Sequence, residues 1–391
     1  MAEHGRVPDV VDLARELVRL DSENPPGEEA ACARFVHDWF AERGVDTELV
    51  EEPIPDRPQV AARVGEGDPT LVLNGHLDVV PADDPAEWTH EPYAAEVEDG
   101  RLYGRGAADM KSGLAVGMVA MLELREELAD GDLDGSVVFH GAVGEETAVP
   151  GTKTLLERGY DGDYGVVLEP TDFRVATSAK GLVCYEVTVE GDPSHASRPD
   201  QGRNAVLEAR PVVDAIETYD RRLREREDPL VGQAYANVTR FEAGVGGNLG
   251  VLPGTAKLVL DRRVLPAEEI ADVRDEVDAL LDDVREEHGV ETRVEEIQRY
   301  ESAAVDSDCE LAETIRDHTA AVTGERPDPW GIEAATDVRN LVNDAGMEAV
   351  TWGPGELAQA HTYDESIAVS DVRDGLDVTL RVARDVLDGA E

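Results

Sequence analysis

The stretch Leu71–Pro81, LVLNGHLDVVP, decides how the chain is read. Leu71, Val72 and Leu73 form the short apolar run of a buried strand, and Asn74-Gly75 breaks it just before His76. If the extended geometry continues, His76 and Asp78 share a face, because side chains alternate across a strand. A metal-binding histidine commonly has its second ring nitrogen held by a carboxylate or carbonyl. On that reading His76 is a metal ligand and Asp78 orients it. The other reading is a strand-end histidine beside one of many acids, and this stretch alone fits both.

Acids are indeed abundant: 86 Asp and Glu stand against 36 Lys and Arg in 391 residues, a formal charge of −50. Only Lys111, Lys153, Lys180 and Lys257 are lysines, so arginine supplies most of the cation. Such a load suits a protein kept soluble in strong salt, where the Debye length shrinks to about 3 Å and self-repulsion is screened. A halophilic surface is the expectation. No basic stripe exists to displace phosphate counterions, which argues against a nucleic-acid partner. Cys32, Cys184 and Cys309 are far apart and odd in number, as in a reducing cytoplasm without a disulfide framework. No apolar run approaches the ~20 residues needed to cross a bilayer, and the N-terminus lacks the apolar segment of a signal peptide. A soluble, cytoplasmic protein with no membrane partner is expected. At this acid density a Glu-Glu pair means nothing by itself, so the nine histidines carry the information.

Outward from the central strand, the length predicts two domains. Helical spacing recurs over Val10–Leu20 and Glu28–Arg43, on either side of the turn-rich SENPPG. A helix is predicted over Ser112–Leu128, with Gly113, Ala115 and Gly117 small enough for close packing on a sheet. Ser136–Phe139 and Tyr164–Leu168 read as further strands. Alternating strands and helices make an α/β sheet, which binds ligands at the carboxyl ends of its strands. From Lys180 the pattern changes: a strand over Gly181–Gly191, a helix over Asn204–Arg226, strands over Ala234–Phe241 and Thr255–Arg262, a helix over Pro266–His288 and a strand over Val290–Tyr300. That β-α-β-β-α-β order is the ferredoxin-like unit. The predicted architecture is an α/β catalytic domain, a mixed sheet flanked by helices, over residues 1–179 and 301–391, with a ferredoxin-like domain inserted at 180–300.

Four segments of the first domain deliver histidine or acid at the end of a strand or glycine turn: His76 with Asp78, Asp109 after GRGAA, Glu145-Glu146 after AVG, and Glu169 before Pro-Thr. His361, with Asp364 and Glu365, adds a fifth beyond the insertion. Two histidines and several carboxylates suit a pair of zinc-like ions, each with one histidine and one terminal carboxylate, and with a shared carboxylate between them. One acid must stay uncoordinated to move protons. Spacing leaves open whether that acid is Glu145 or Glu146.

The chain resembles the metallohydrolase family that contains acetylornithine deacetylase, succinyl-diaminopimelate desuccinylase, aminoacylase and glutamate carboxypeptidase. The likeness runs nearly end to end, through GHLDVVP, GRGAADMKSG, GEE, LEPT, GDPSHASRPDQGRNA, DRRVLP and AHTYDES. It implies that His76 and Glu169 hold one metal, that Glu146 and His361 hold the other, and that Asp109 bridges them. It makes Glu145 the general acid/base and Asp78 the partner of His76, and it implies a cis peptide after Asp109. The glutamate at 169 is similar to that of the deacylases and carboxypeptidases rather than the aminopeptidases. In the inserted domain the resemblance implies oxyanion stabilisation by His195, often in the partner subunit's site, α-carboxylate binding by Arg263, and a weaker substrate contact at Thr336. Where relatives often have Asn-Val-Ile-Pro, this chain has Gly250-Val251-Leu252-Pro253, with Asn248 two residues early.

The expected protein is therefore a hydrolase of linear amide bonds with two Zn2+ per chain, Co2+ or Mn2+ being possible substitutes. Its substrate is expected to be a small N-acyl amino acid or short peptide with a free α-carboxylate, and the resemblance implies a homodimer formed through 180–300. A metallocarboxypeptidase or dipeptidase keeps the chemistry and changes the substrate. A non-catalytic acyl-amino-acid binder needs a lost ligand or base, and every such position is filled. The remaining histidines lack motifs, and His140, within a strand, reads as a core histidine.

Overall fold

The computed structural model describes residues 8–244 and 246–388. These fall into two compact units. One comprises the chain up to residue 178, residues 304–331 and the segment from 336 onward; the other comprises 179–303 and 332–335.

The first unit is built on a nine-stranded mixed sheet. Six of its strands lie in the order Asp46–Val50, Gln59–Gly65, Ser136–Ala142, Thr70–His76, Tyr164–Val167, Glu348–Thr351. The first two joins are antiparallel and the next three parallel. Thr70–His76 and Ser136–Ala142 are buried along their whole length, as the apolar runs require of central parallel strands. The parallel strands all point one way, so their carboxyl ends coincide. His76 closes one strand, Glu145-Glu146 follow the second, and Glu169 follows the third.

The helix Lys111–Asp130 is buried without a break from Lys111 to Leu122. Its small first turn has a specific cause: a Cβ on Gly113 would lie 2.2 Å from the Leu168 carbonyl oxygen. Only glycine lets the helix approach the strand end that leads into Glu169. The helices Val10–Val18, Ala30–Glu42, Glu310–Thr323 and Val369–Leu387 bury their apolar sides in the same core.

A small three-stranded sheet does separate work. Arg101–Tyr103 pairs antiparallel with Ser366–Ala368, Tyr103 opposite Ser366, and the Gly104 N–H donates to the Glu365 carbonyl at 2.9 Å. Because the strands run in opposite directions, the loop leaving one and the loop entering the other emerge side by side. GRGAAD and AHTYDE meet here.

The second unit is the ferredoxin-like fold read from the sequence. Its strands lie in the order Tyr235–Ala243, Thr255–Val264, Gly181–Glu190, Thr292–Tyr300, all joined antiparallel. The helices Ala205–Leu223 and Ile270–His288 pack into its core. Asn204 caps the first of them, its side chain accepting from the Val206 N–H. The second starts at Ile270 rather than Pro266, because Glu268 is drawn into hydrogen bonds with the Leu265 N–H and with Arg262.

Candidate metal centre

His76 sits at the strand's end, and its Nδ1 lies 2.8 Å from the main-chain carbonyl of Asp78. The carbonyl can only accept, so Nδ1 carries a proton, and Nε2 is the nitrogen left to take a cation once it gives up its own. That Nε2 faces Asp109 Oδ1 at 3.2 Å and Glu169 Oε1 at 3.6 Å. The Asp78 carboxylate, expected to hold the ring, is 3.7 Å away. The strand stops at His76, so strict alternation does not carry to Asp78. Its carboxylate instead accepts from the main-chain N–H groups of Gly144 (2.9 Å), Glu145 (3.3 Å) and Glu146 (3.2 Å), and from the Asn24 side chain (2.8 Å).

The anchored loop turns at Gly144, whose φ of +77° and contact with Val149 exclude a side chain. It delivers Glu146 to within 3.2 Å of His361 Nε2, which also lies 3.4 Å from Asp109 Oδ2. Asp109 therefore turns one oxygen to each histidine. A cis peptide joins Asp109 to Met110. His361 is the open side of the cluster: its side chain is 54% exposed against 2% for His76.

This donor set fits two cations. Donors about 2.1 Å from one tetrahedral ion stand roughly 3.4 Å apart, and the histidine–carboxylate separations of 3.2 to 3.6 Å lie around that value. His76, Asp109 and Glu146 also offer ligand atoms within 4.8 Å of one another. The electrostatics agree. Burial pushes the Glu145, Glu146 and Glu169 carboxyls up, and neighbouring carboxylates add to it. Burial also acts to raise Asp109, but hydrogen bonds from His361 and His76 outweigh it and hold the group below the carboxylate range. Burial opposes a charge on His76, yet Asp109 and the surrounding acids lift it; hydrogen bonds to Asp109 and Glu146 lift His361 to about 10. So many buried acids in one place call for positive charge.

Glu145 lies beside Arg339, 4.0 Å away, and Arg339 reaches Asp337 at 3.2 Å. Thr336 is buried with its hydroxyl 3.0 Å from that of Thr351, so its side chain is engaged inside the protein. The second unit carries the other two residues. His195 occupies an exposed turn, its Nδ1 accepting from the Ser197 N–H at 3.1 Å. Arg263 grips Asp261 through two contacts of 3.0 and 3.1 Å. Asn248 caps its own turn, accepting from the Gly250 N–H at 3.0 Å.

Sequence reasoning passed over Asn24, Arg105 and Arg339, and gave Glu365 no role. Arg105 and Arg339 had usable signals, the first inside GRGAADMKSG and the second three positions after Thr336 in ATDVR.

Compared with known proteins, residues 72–385 match the model of peptidase family M20/M25/M40. The chain is 29% identical over 379 residues to a succinyl-diaminopimelate desuccinylase of Methylorubrum populi, covering 92% of this chain and 94% of that protein. It is 26% identical over 389 residues to succinyl-diaminopimelate desuccinylase 2 of a Ruegeria species, covering 96% and 95%. An M20-family metallo-carboxypeptidase from Sulfolobus solfataricus shares the fold, with a TM-score of 0.82 at 19% identity, over 98% of this chain and 99% of that one.

Proposed function

The chain belongs to peptidase family M20/M25/M40, and from that membership we propose that it is a two-cation amidohydrolase of the acetylornithine deacetylase or succinyl-diaminopimelate desuccinylase type. It removes the acyl group from an N-acyl amino acid. The observation that carries the reading is Asp109, with one carboxylate oxygen toward His76 and the other toward His361.

In this proposal His76 and Glu169 hold one cation, Glu146 and His361 the other, and Asp109 is shared. Zinc is the proposed metal, with cobalt or manganese as substitutes, because nitrogen and carboxylate donors suit all three. Bound there, the pair supplies Lewis acidity and lowers the pKa of water to near neutrality. Glu145, left out of the ligand set, takes the attacking water's proton and returns it to the departing amine. His195 donates to the developing oxyanion, and Arg263 pairs with the substrate's α-carboxylate, for which a planar guanidinium is well shaped. Asp261 already occupies that guanidinium, so a substrate carboxylate must share or displace it. Thr336 is the weaker proposed substrate contact, and its buried hydroxyl lies 3.0 Å from that of Thr351.

We further propose a homodimer formed through 180–300 and a cytoplasmic location, the latter from three unpaired cysteines. Among the described residues no helix is long and apolar enough to cross a membrane.

The test is turnover of N-succinyl-diaminopimelate, N-acetylornithine and a dipeptide panel, with zinc or cobalt in high potassium chloride. The acyl amino acids should exceed the dipeptides in kcat/KM by at least about a hundredfold. Preference for dipeptides would move the protein to the carboxypeptidase branch, and two bound cations with no turnover would make it a binding protein.

A further inference from the structure

We propose that Glu365 is a positioning residue for the candidate metal centre, tying the His361 loop to the Asp109 loop. Its carboxylate is fully buried. One oxygen accepts from the main-chain N–H groups of Ala108 (2.8 Å) and Asp109 (3.0 Å). The other accepts from the Gly106 N–H (3.2 Å) and from the Arg105 guanidinium (2.6 Å). The loop that ends in Asp109 is thus an anion-binding nest, and the chain fills it with its own carboxylate.

That carboxylate stands four positions after His361. Between them the backbone is strained: His361 and Asp364 have φ of +62° and +51°, in the left-handed region. Strain of this kind persists where the surroundings over-determine it. Here Asp364 accepts from the Thr89 and His90 N–H groups at 2.8 and 3.0 Å, and Arg105 also reaches the Thr362 carbonyl at 3.3 Å. Glu365 closes the frame. It fixes the Asp109 main chain and the His361 loop in one set of hydrogen bonds, so the 3.4 Å approach of His361 Nε2 to Asp109 Oδ2 is set before any ion arrives. His361, mostly exposed, has little packing of its own to do this.

The inference rests on reading Asp109 and His361 as ligands of one cation. The test is Glu365→Gln, which keeps the shape but turns an N–H2 group toward N–H donors. Cobalt affinity is measured at each site by chelator competition and by the visible spectrum, beside the melting temperature and kcat. The weaker-held cation should lose roughly ten- to a hundredfold in affinity, the tighter-held one much less, and saturating cobalt should restore most of kcat. If Glu365→Gln does not fold, Glu365→Asp carries the measurement, with the same split expected. Unchanged affinities at both sites with only a lower melting temperature would overturn the role of Glu365 and leave the two-cation reading standing. A wild-type chain that bound no pair of cations would overturn both.

Discussion

Asp78 offers His76 its main-chain carbonyl, at 2.8 Å, and keeps its carboxylate 3.7 Å from the ring. The carboxylate's partners are the N–H groups of Gly144, Glu145 and Glu146. One residue thereby orients His76 with its backbone and a loop with its side chain.

Asp78→Asn separates the two. The carbonyl stays, so His76 should keep its tautomer and its cation. The loop loses a charged acceptor, and kcat should fall about ten- to a hundredfold. Metal content by mass spectrometry beside kcat makes the check; loss of a cation with unchanged turnover per bound pair would return the carboxylate to His76.

Glu145→Gln removes the proposed proton carrier and leaves the five donors of the cluster in place. Both cations should bind as in the wild type, while kcat drops by about 10²- to 10⁴-fold. Near-normal turnover would take Glu145 out of the reaction and turn attention to Glu146.

Gly113→Ala drives a Cβ into the Leu168 carbonyl, where backbone must yield. About 1–3 kcal/mol of stability should be lost, and Glu169, next along the chain, should hold its cation more weakly. Gly117→Ala is the milder comparison, since its Cβ meets only side-chain atoms of Leu168 and Phe139 at 3.0 Å or more. Urea midpoints for the pair rank them, and equal losses would mean the helix tolerates a shift at either point.

His140 predicts a pH dependence. It is buried in its strand, its Nε2–H donating to the Tyr160 carbonyl at 2.7 Å and its Nδ1 accepting from Asn74 at 3.2 Å. Burial lowers its pKa from 6.5 to about 4. Between those values the unfolded chain binds the proton and the folded one does not, so stability rises with pH across the window and is lost as pH falls through it. The loss should reach ~3 kcal/mol near pH 4 at 1.36 kcal/mol per pKa unit. Urea midpoints of the wild type and His140→Gln from pH 7 to pH 4 should converge as the pH drops. A constant gap would mean His140 titrates normally.

The sequence by itself determined the elements, because burial leaves a periodic mark. The unbroken apolar runs around Leu71–Leu73 and Val137–Phe139 are central parallel strands, and Gly113 is small because a strand end passes 2.2 Å from where its Cβ would be. It also determined that histidines and acids stand at strand ends, since glycine turns announce those ends, and the motifs of a known family named the individual residues. What only the tertiary structure decided is how those residues are held. Glu365 is one acid among 86, and its sequence neighbours do not show that Gly106, Ala108 and Asp109 will aim their N–H groups at it. Asn24 is equally unmarked, because its partner Asp78 lies far along the chain. Periodicity records which side of an element is dry; the direction of a hydrogen bond depends on the strand pairing that brings two distant loops together, and that pairing exists only in the folded chain.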